Sequence, residues 1–179
     1  DFTGLIAAGM ASAYELIGDN TYKTFAEIVG ENILSTALGD FTGDEVFALA
    51  RLSQISSTPH ENLWRTVVSD FYRDVQNGID GTEGYLRQFA EASPSTAVFH
   101  LAYYVIGAYY VDAEDKEIFR CKLINYLSQV DDDCSDSPVM ALGIATWALA
   151  LTGALDDTLI DPSGTGAACW NHKKLKDLP

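Results

Sequence analysis

Thr42-Gly43-Asp44-Glu45 and Thr58-Pro59-His60-Glu61 constrain the chain most tightly. Each sets a hydroxyl three residues ahead of a glutamate. In that spacing the hydroxyl satisfies the third helical amide and the glutamate reaches back to the amide of the cap, so two orphan donors are met at once. The second stretch adds Pro at the first helical position, where a missing N–H costs nothing. Ser93-Pro94 and Ser137-Pro138 repeat the cap-then-Pro signal, and Asp19-Asn20, Asp80 and Asp112 can cap further starts. Gly18, Gly39, Gly78 and Gly153 stand where helices should stop. These marks predict eight helices, at about 4–17, 21–38, 43–56, 59–76, 82–92, 94–111, 113–130 and 138–152.

No segment reads as a strand, since sustained period-2 alternation and hairpin dipeptides between β-branched runs are missing. The helices are of two kinds. GLIAAGMASAYELI, DEVFALARLSQIS, STAVFHLAYYVIGAYYV and SPVMALGIATWALALTG are apolar around most of their circumference, as helices packed on two sides must be. TYKTFAEIVGENILSTAL, HENLWRTVVSDFYRDVQ and EDKEIFRCKLINYLSQV have one apolar stripe and one charged face. The two kinds alternate, with turns near Gly18, Thr58, Asp112 and Gly153. The expected fold class is therefore all-α, an αα-hairpin array with a repeat of about 40 residues into which the helix at 82–92 is inserted once. Residues 1–153 form this repeat domain and 154–179 an irregular extension that can continue into further sequence. The apolar runs fall short of the ~20 residues of a membrane span and are flanked by acid rather than Lys or Arg, so no membrane span is expected.

Charge narrows the partners. With 26 acidic against 11 basic residues the net charge is -15, and a surface of that sign repels nucleic-acid phosphates and anionic lipid. Divalent cations, a basic partner, or solubility at high salt remain compatible with it. Cys121, Cys134 and Cys169 show no metal-ligand spacing and allow at most one disulfide. Cys134 and Cys169 fall in predicted loops and are the first pair to test; three free, mostly buried thiols are the other reading. A chain starting at Asp1 fits a secreted protein whose signal has been removed, and an excised domain explains the same start equally well.

The alternation of inner and outer helices resembles the α/α-toroid of the prenyltransferase and squalene-cyclase superfamily. Within residues 139–179, ALGIATWALALTGALDDTLIDPSGTGAACWNHKKLKDLP is similar to a segment of secreted bacterial proteins that carry such repeats. The likeness implies a toroid or an arc of one, and it would turn Tyr103, Tyr104, Tyr109, Tyr110 and Trp147 toward a central cavity, where aromatic faces beside carboxylates could hold a carbohydrate. Activity does not carry over, because the QxxxxxW repeat and DxDD acid of triterpene cyclases and the Asp, Cys and His zinc ligands of protein prenyltransferases have no counterpart here.

Asp132-Asp133-Cys134-Ser135-Asp136 matches DDxxD, which holds magnesium against a diphosphate in helical terpene synthases. That chemistry needs the motif on a helix, with NxxSxxxE opposite; the nearest second match, Asn32-Ile33-Leu34-Ser35, meets Gly39 where the acid should be. Asp131, Asp132, Asp133 and Asp136 instead fall between two predicted helices. Asp136 sits where the next macrodipole favours an acid, which makes a solvated acidic turn the plain reading and calcium or magnesium there the alternative. No cofactor is expected otherwise. His60, His100 and His172 lack ligand spacing, and Gly-x-Ser-x-Gly, P-loop and HExxH motifs are missing. The expectation is a non-enzymatic, extracellular scaffold that assembles with itself, as a homo-oligomer or filament, because the end helix at 138–152 is too apolar to cap an array unless the tail, further sequence or another copy covers it. A carbohydrate-active or isoprenoid-type enzyme with an aromatic, acidic cavity is the alternative.

Overall fold

A computed structural model describes residues 3–57, 59–77, 94–114, 116–128, 139–160 and 171–177. They hold seven α-helices: α1 (Thr3–Ile17), α2 (Asn20–Ile33), α3 (Gly43–Ile55), α4 (His60–Asn77), α5 (Pro94–Val111), α6 (Lys116–Ser128) and α7 (Val139–Leu151), with 3-10 turns at Leu38–Asp40 and Leu175–Asp177. The fold is all-α, and the described residues contain no strand, only one isolated bridge between Thr158 and Lys174. The helix expected at 82–92 lies outside the described residues.

Local chemistry sets the ends. Asp19 caps α2 by accepting the Thr21 N–H at 2.8 Å. At α3 the capping box is in place, with the Glu45 carboxylate accepting the Thr42 N–H at 2.9 Å. Gly18 and Gly153 close α1 and α7 at φ of 78° and 72°, the left-handed backbone that glycine adopts without a Cβ penalty. Two boundaries differ from expectation. The second helix stops at Ile33 rather than 38, because the Ser35 hydroxyl donates to the Asn32 carbonyl at 2.6 Å and the amides of Ser35 and Thr36 make three-residue turns to Asn32 and Ile33. Asp112 does not start a helix: at φ 55° it closes α5, with the Ala113 N–H donating to the Ala108 carbonyl at 2.9 Å, and α6 begins at Lys116.

The chain divides into two compact units, Asp1–Thr82 with Gly107–Asp115 and Glu83–Ile106 with Lys116–Pro179. In the first unit α1 packs on α2 and α3, and α3 packs on α4. Contact between α1 and α3 is made by small residues. Gly4, Ala7, Ala8 and Ala11 are the buried positions of α1, and a Cβ on Gly4 would lie 2.3 Å from the Asp44 carbonyl carbon. α4 buries Trp64, Val68, Phe71 and Tyr72, a helical stripe at i, i+4, i+7 and i+8. Gly30 of α2 makes room for Leu52 and the Trp64 indole, and Phe41 stacks on Phe71 with ring centroids 6.1 Å apart. Residues 107–115 complete this core. Gly107 lies under the Tyr72 hydroxyl, Tyr110 stacks on Phe47 at 6.3 Å, the Arg51 guanidinium sits 5.4 Å from the Tyr110 ring, and the Gln54 side-chain amide donates to the Tyr110 carbonyl at 3.2 Å.

In the second unit Leu101 to Ile106 of α5, Phe119, Leu123 and Leu127 of α6, and Ala141, Leu142, Ala145, Ala148 and Leu149 of α7 are buried. Residues 154–160 and 171–177 of the extension lie against them. The Leu159 N–H donates to the Lys173 carbonyl, the His172 N–H to the Leu159 carbonyl, and the Lys176 N–H to the Leu155 carbonyl, each at 2.9 Å, which carries Leu159 and Leu175 into the core with no more than 1% exposure. The 3-10 turn at Leu175–Asp177 packs on α7, so the tail supplies part of the cover that the end helix needs.

Lys176 Nζ donates to Asp156 at 2.6 Å, with Lys174 3.7 Å away. That hydrogen bond, then the charges of Lys176 and Lys174, hold the Asp156 carboxyl below its ordinary value of 3.8, and Asp156 holds the Lys176 ammonium above its ordinary 10.5. A lowered acid stabilises above 3.8 and loses that effect as pH falls through its folded value; a raised amine stabilises below 10.5 and loses it as pH climbs through its folded value. The side-chain NMR signals of Asp156 and Lys176 themselves should therefore have their midpoints below 3.8 and above 10.5 respectively. A midpoint inside that window would contradict the assignment.

Candidate functional site

The residues singled out from the sequence do not gather into one pocket. Tyr103 and Tyr104 are buried at 3% and 0% exposure, the first edge-on to Phe99 at 5.0 Å and the second beside Phe119 at 6.3 Å. They are core of the second unit. Tyr109 and Tyr110 belong to the first unit and are half-buried. Trp147 was expected inside a helix covered all round, and it is 41% exposed on α7 with Gly143, Ala150 and Leu151 also open. Its face of α7 lies opposite Ala141, Leu142, Ala145, Ala148 and Leu149, which take the buried side. Asp131, Asp132, Asp133, Asp136, Cys134 and Cys169 lie outside the described residues. Cys121 is free and exposed on α6.

A polar cluster that the sequence did not single out joins α2 to the turn between α3 and α4. The Trp64 indole N–H donates to Ser56 Oγ at 3.1 Å, and the Ser56 hydroxyl donates to Glu27 Oε1 at 2.8 Å. His60 Nδ1 stands 4.0 Å from the same carboxylate oxygen, and Lys23 Nζ donates to Ser57 Oγ at 3.2 Å. Serine, histidine and carboxylate are together here, yet the serine gives its proton to the carboxylate and not to the imidazole, so the arrangement lacks the nucleophile-to-base bond of acyl transfer. Its role is to satisfy a buried indole and tie the turn to α2. The sequence signal was Trp64 at the head of the 64/68/71/72 stripe, eight residues after a helix-ending serine. Nearby, Asp44 is 3% exposed; Thr42 Oγ1 donates to its Oδ1 at 2.7 Å, while its Oδ2 has no hydrogen-bond partner. The position, in the first turn of α3, is one where the helix dipole favours a carboxylate. No group of three or more His, Cys, Asp or Glu able to hold a metal occurs among the described residues.

The remaining candidate is a surface. α1 was expected to be packed on two sides, but only its Gly4/Ala7/Ala8/Ala11 side is buried. On the opposite side Ile6 is 49%, Leu16 86% and Ile17 64% exposed, with Gly9 open between them and Met10 and Ala13 half-buried. None of these is charged. The single ionised side chain of α1, Glu15, is turned toward α3, where it pairs with Arg51. Phe25 and Ile28 of α2 are also exposed, at 46% and 52%. A solvent-facing helix side normally carries the polar residues, and here it carries none of the charge of a strongly acidic chain.

No family model, no curated protein and no solved structure matches the chain. No described helix is long and apolar enough to cross a membrane.

Proposed function

We propose that this chain is a non-enzymatic scaffold that assembles with copies of itself, built from helical hairpins set in an arc or part of an α/α-toroid. One observation carries the reading: the uncharged, open side of α1 on a chain whose net charge is -15. Apolar surface left exposed in a continuous stripe gains about 25 cal/mol per Å² on being covered, and the surrounding acid keeps the rest of the molecule apart. The serine–histidine–carboxylate cluster is engaged in packing and two of the five candidate cavity aromatics are core, which favours a binding role over a catalytic one. The extracellular placement rests on the resemblance within residues 139–179.

Light scattering coupled to size exclusion tests the reading. The weight-average mass of the purified chain should rise above 19.5 kDa with concentration. A mass fixed at that value up to millimolar concentration would remove the proposal.

A further inference from the structure

The tail at 171–177 covers part of α7, and we propose that it is removable: the Lys173–Lys174 bond in its exposed turn is a processing site for an endopeptidase that selects lysine. The proposal stands apart from the assembly reading and does not depend on it. Where the basic residues lie singles this bond out. Lys23 is in α2, Arg51 in α3, Arg65 and Arg73 in α4, and Lys116, Arg120 and Lys122 in α6. Cutting beside any of these requires helical backbone to be pulled out of several hydrogen bonds at once, so they are shielded while the core is folded. Lys173 and Lys174 lie outside any helix, side by side and exposed. Exposed turns of this kind are where folded chains are nicked. Lys174 and Lys176 are drawn to Asp156, whereas Lys173 makes no ion pair among the described residues, so its ammonium is available to an acidic specificity pocket.

The turn is also held lightly. Leu175 is the one buried residue of 171–177, and the backbone is tied to 155–159 by the bonds that join Leu159 to Lys173 and His172, Leu175 to Asp157, and Lys176 to Leu155. A segment pinned by one apolar side chain and a short ladder opens locally far more often than the helices beneath it. His172, next to the bond that is cut, holds a left-handed backbone at φ 62°. A side chain disfavours that conformation, and extension into a protease cleft relieves it. Opening lifts Leu175 off the core and releases the Lys173 carbonyl from the Leu159 N–H. Water then adds across the Lys173–Lys174 amide: the C–N bond breaks, the acyl carbon takes the oxygen and becomes the Lys173 carboxylate, and the nitrogen leaves as the Lys174 ammonium. Asp156 loses both of its lysine partners, and the side of α7 on which the turn at Leu175–Asp177 packed is uncovered. The helices themselves are untouched.

A lysine-specific endopeptidase, added in trace amount to the full folded chain and followed by mass spectrometry, tests the site. Such an enzyme passes over arginine, so only the lysines compete. The first product is expected to end at Lys173 and to form roughly tenfold or more faster than any cut after Lys23, Lys116 or Lys122, because the tail opens without the helices. It should keep the helical circular dichroism of the intact chain and bind more of a neutral apolar dye such as Nile red, which reports the uncovered side of α7. Leu175→Ala, which removes the anchor, should speed the same cut roughly tenfold or more. A first cut at any other lysine would overturn the proposal. So would a cut chain that loses its helical signal, since the tail would then be part of the fold and no removable cover. An unchanged dye signal after cutting, or an unchanged rate in Leu175→Ala, would equally show that Leu175 does not hold a cover in place.

Discussion

Trp64→Ala is expected to lower the unfolding free energy of the chain by about 3–5 kcal/mol, read from urea denaturation followed by circular dichroism. The indole is fully enclosed, at 0% exposure, between the α2 backbone at Gly30 and the α3 side chains around Leu52. Burying ~200 Å² of aromatic surface at ~25 cal/mol per Å² gives a gross term of the same order. The loss has a polar part as well, because Ser56 forfeits the indole N–H that donates to it and keeps only its own bond to Glu27. Trp64→Phe separates the two, retaining most of the volume and losing the N–H; about 1–2 kcal/mol is expected for it. A cost below about 1 kcal/mol for Trp64→Ala would mean that the indole is not the centre of this unit. Trp147→Ala should cost clearly less than Trp64→Ala, because 41% of that residue is already in solvent.

Gly4→Ala should destabilise by about 3 kcal/mol, at the upper end of overpacking costs. Its new methyl would fall 2.3 Å from both the carbon and the oxygen of the Asp44 carbonyl and 2.5 Å from the Glu45 amide nitrogen. Backbone cannot rotate away as a side chain can, so α1 must lift off the first turn of α3. Gly143→Ala is the matched control. It adds the same methyl inside α7 where nothing lies within 4 Å, and the better helix propensity of alanine should stabilise by up to about 1 kcal/mol. Equal effects at the two positions would show that helix propensity alone governs both.

The difference between those glycines marks how far the sequence could be read. Helix starts written in side-chain chemistry were legible: Asp19 and Thr42 cap as their residue types require. So were the stops at Gly18 and Gly153, and the stripe of α4. Periodicity correctly marked α3 and the middle of α5 as buried on most sides, with Val46 to Ala50 and Leu101 to Ile106 fully enclosed. It failed on α1 and on the outer side of α7. An apolar circumference states what a helix can tolerate against it, whereas what stands there depends on the number of neighbours the chain supplies. The same limit explains the tryptophans. Trp147 sits in the more apolar stretch but Trp64 is the enclosed one, because Gly30, 34 residues earlier in the sequence, leaves a slot for it. The end of α2 was missed for a local reason, a serine competing for a carbonyl that the helix would otherwise use.

Closure of the first unit by residues 107–115 bears on how the protein is made. A ribosome releases the chain from its N-terminus at ~5–20 residues per second, and domains tend to fold as they emerge. Helices α1 to α4 can pair early, since their contacts with one another all fall within residues 3–77. The Phe47 ring, the Arg51 guanidinium and the Tyr72 hydroxyl must wait for Tyr110 and Gly107. About 25 further residues separate the end of the first segment, Thr82, from Gly107, which at those speeds is an interval of seconds during which an apolar, half-assembled unit sits beside the exit tunnel. The nascent chain thus has a built-in vulnerable period, and a translational pause that holds residues 107–115 inside the ribosome would lengthen it while one that falls after they have emerged would not.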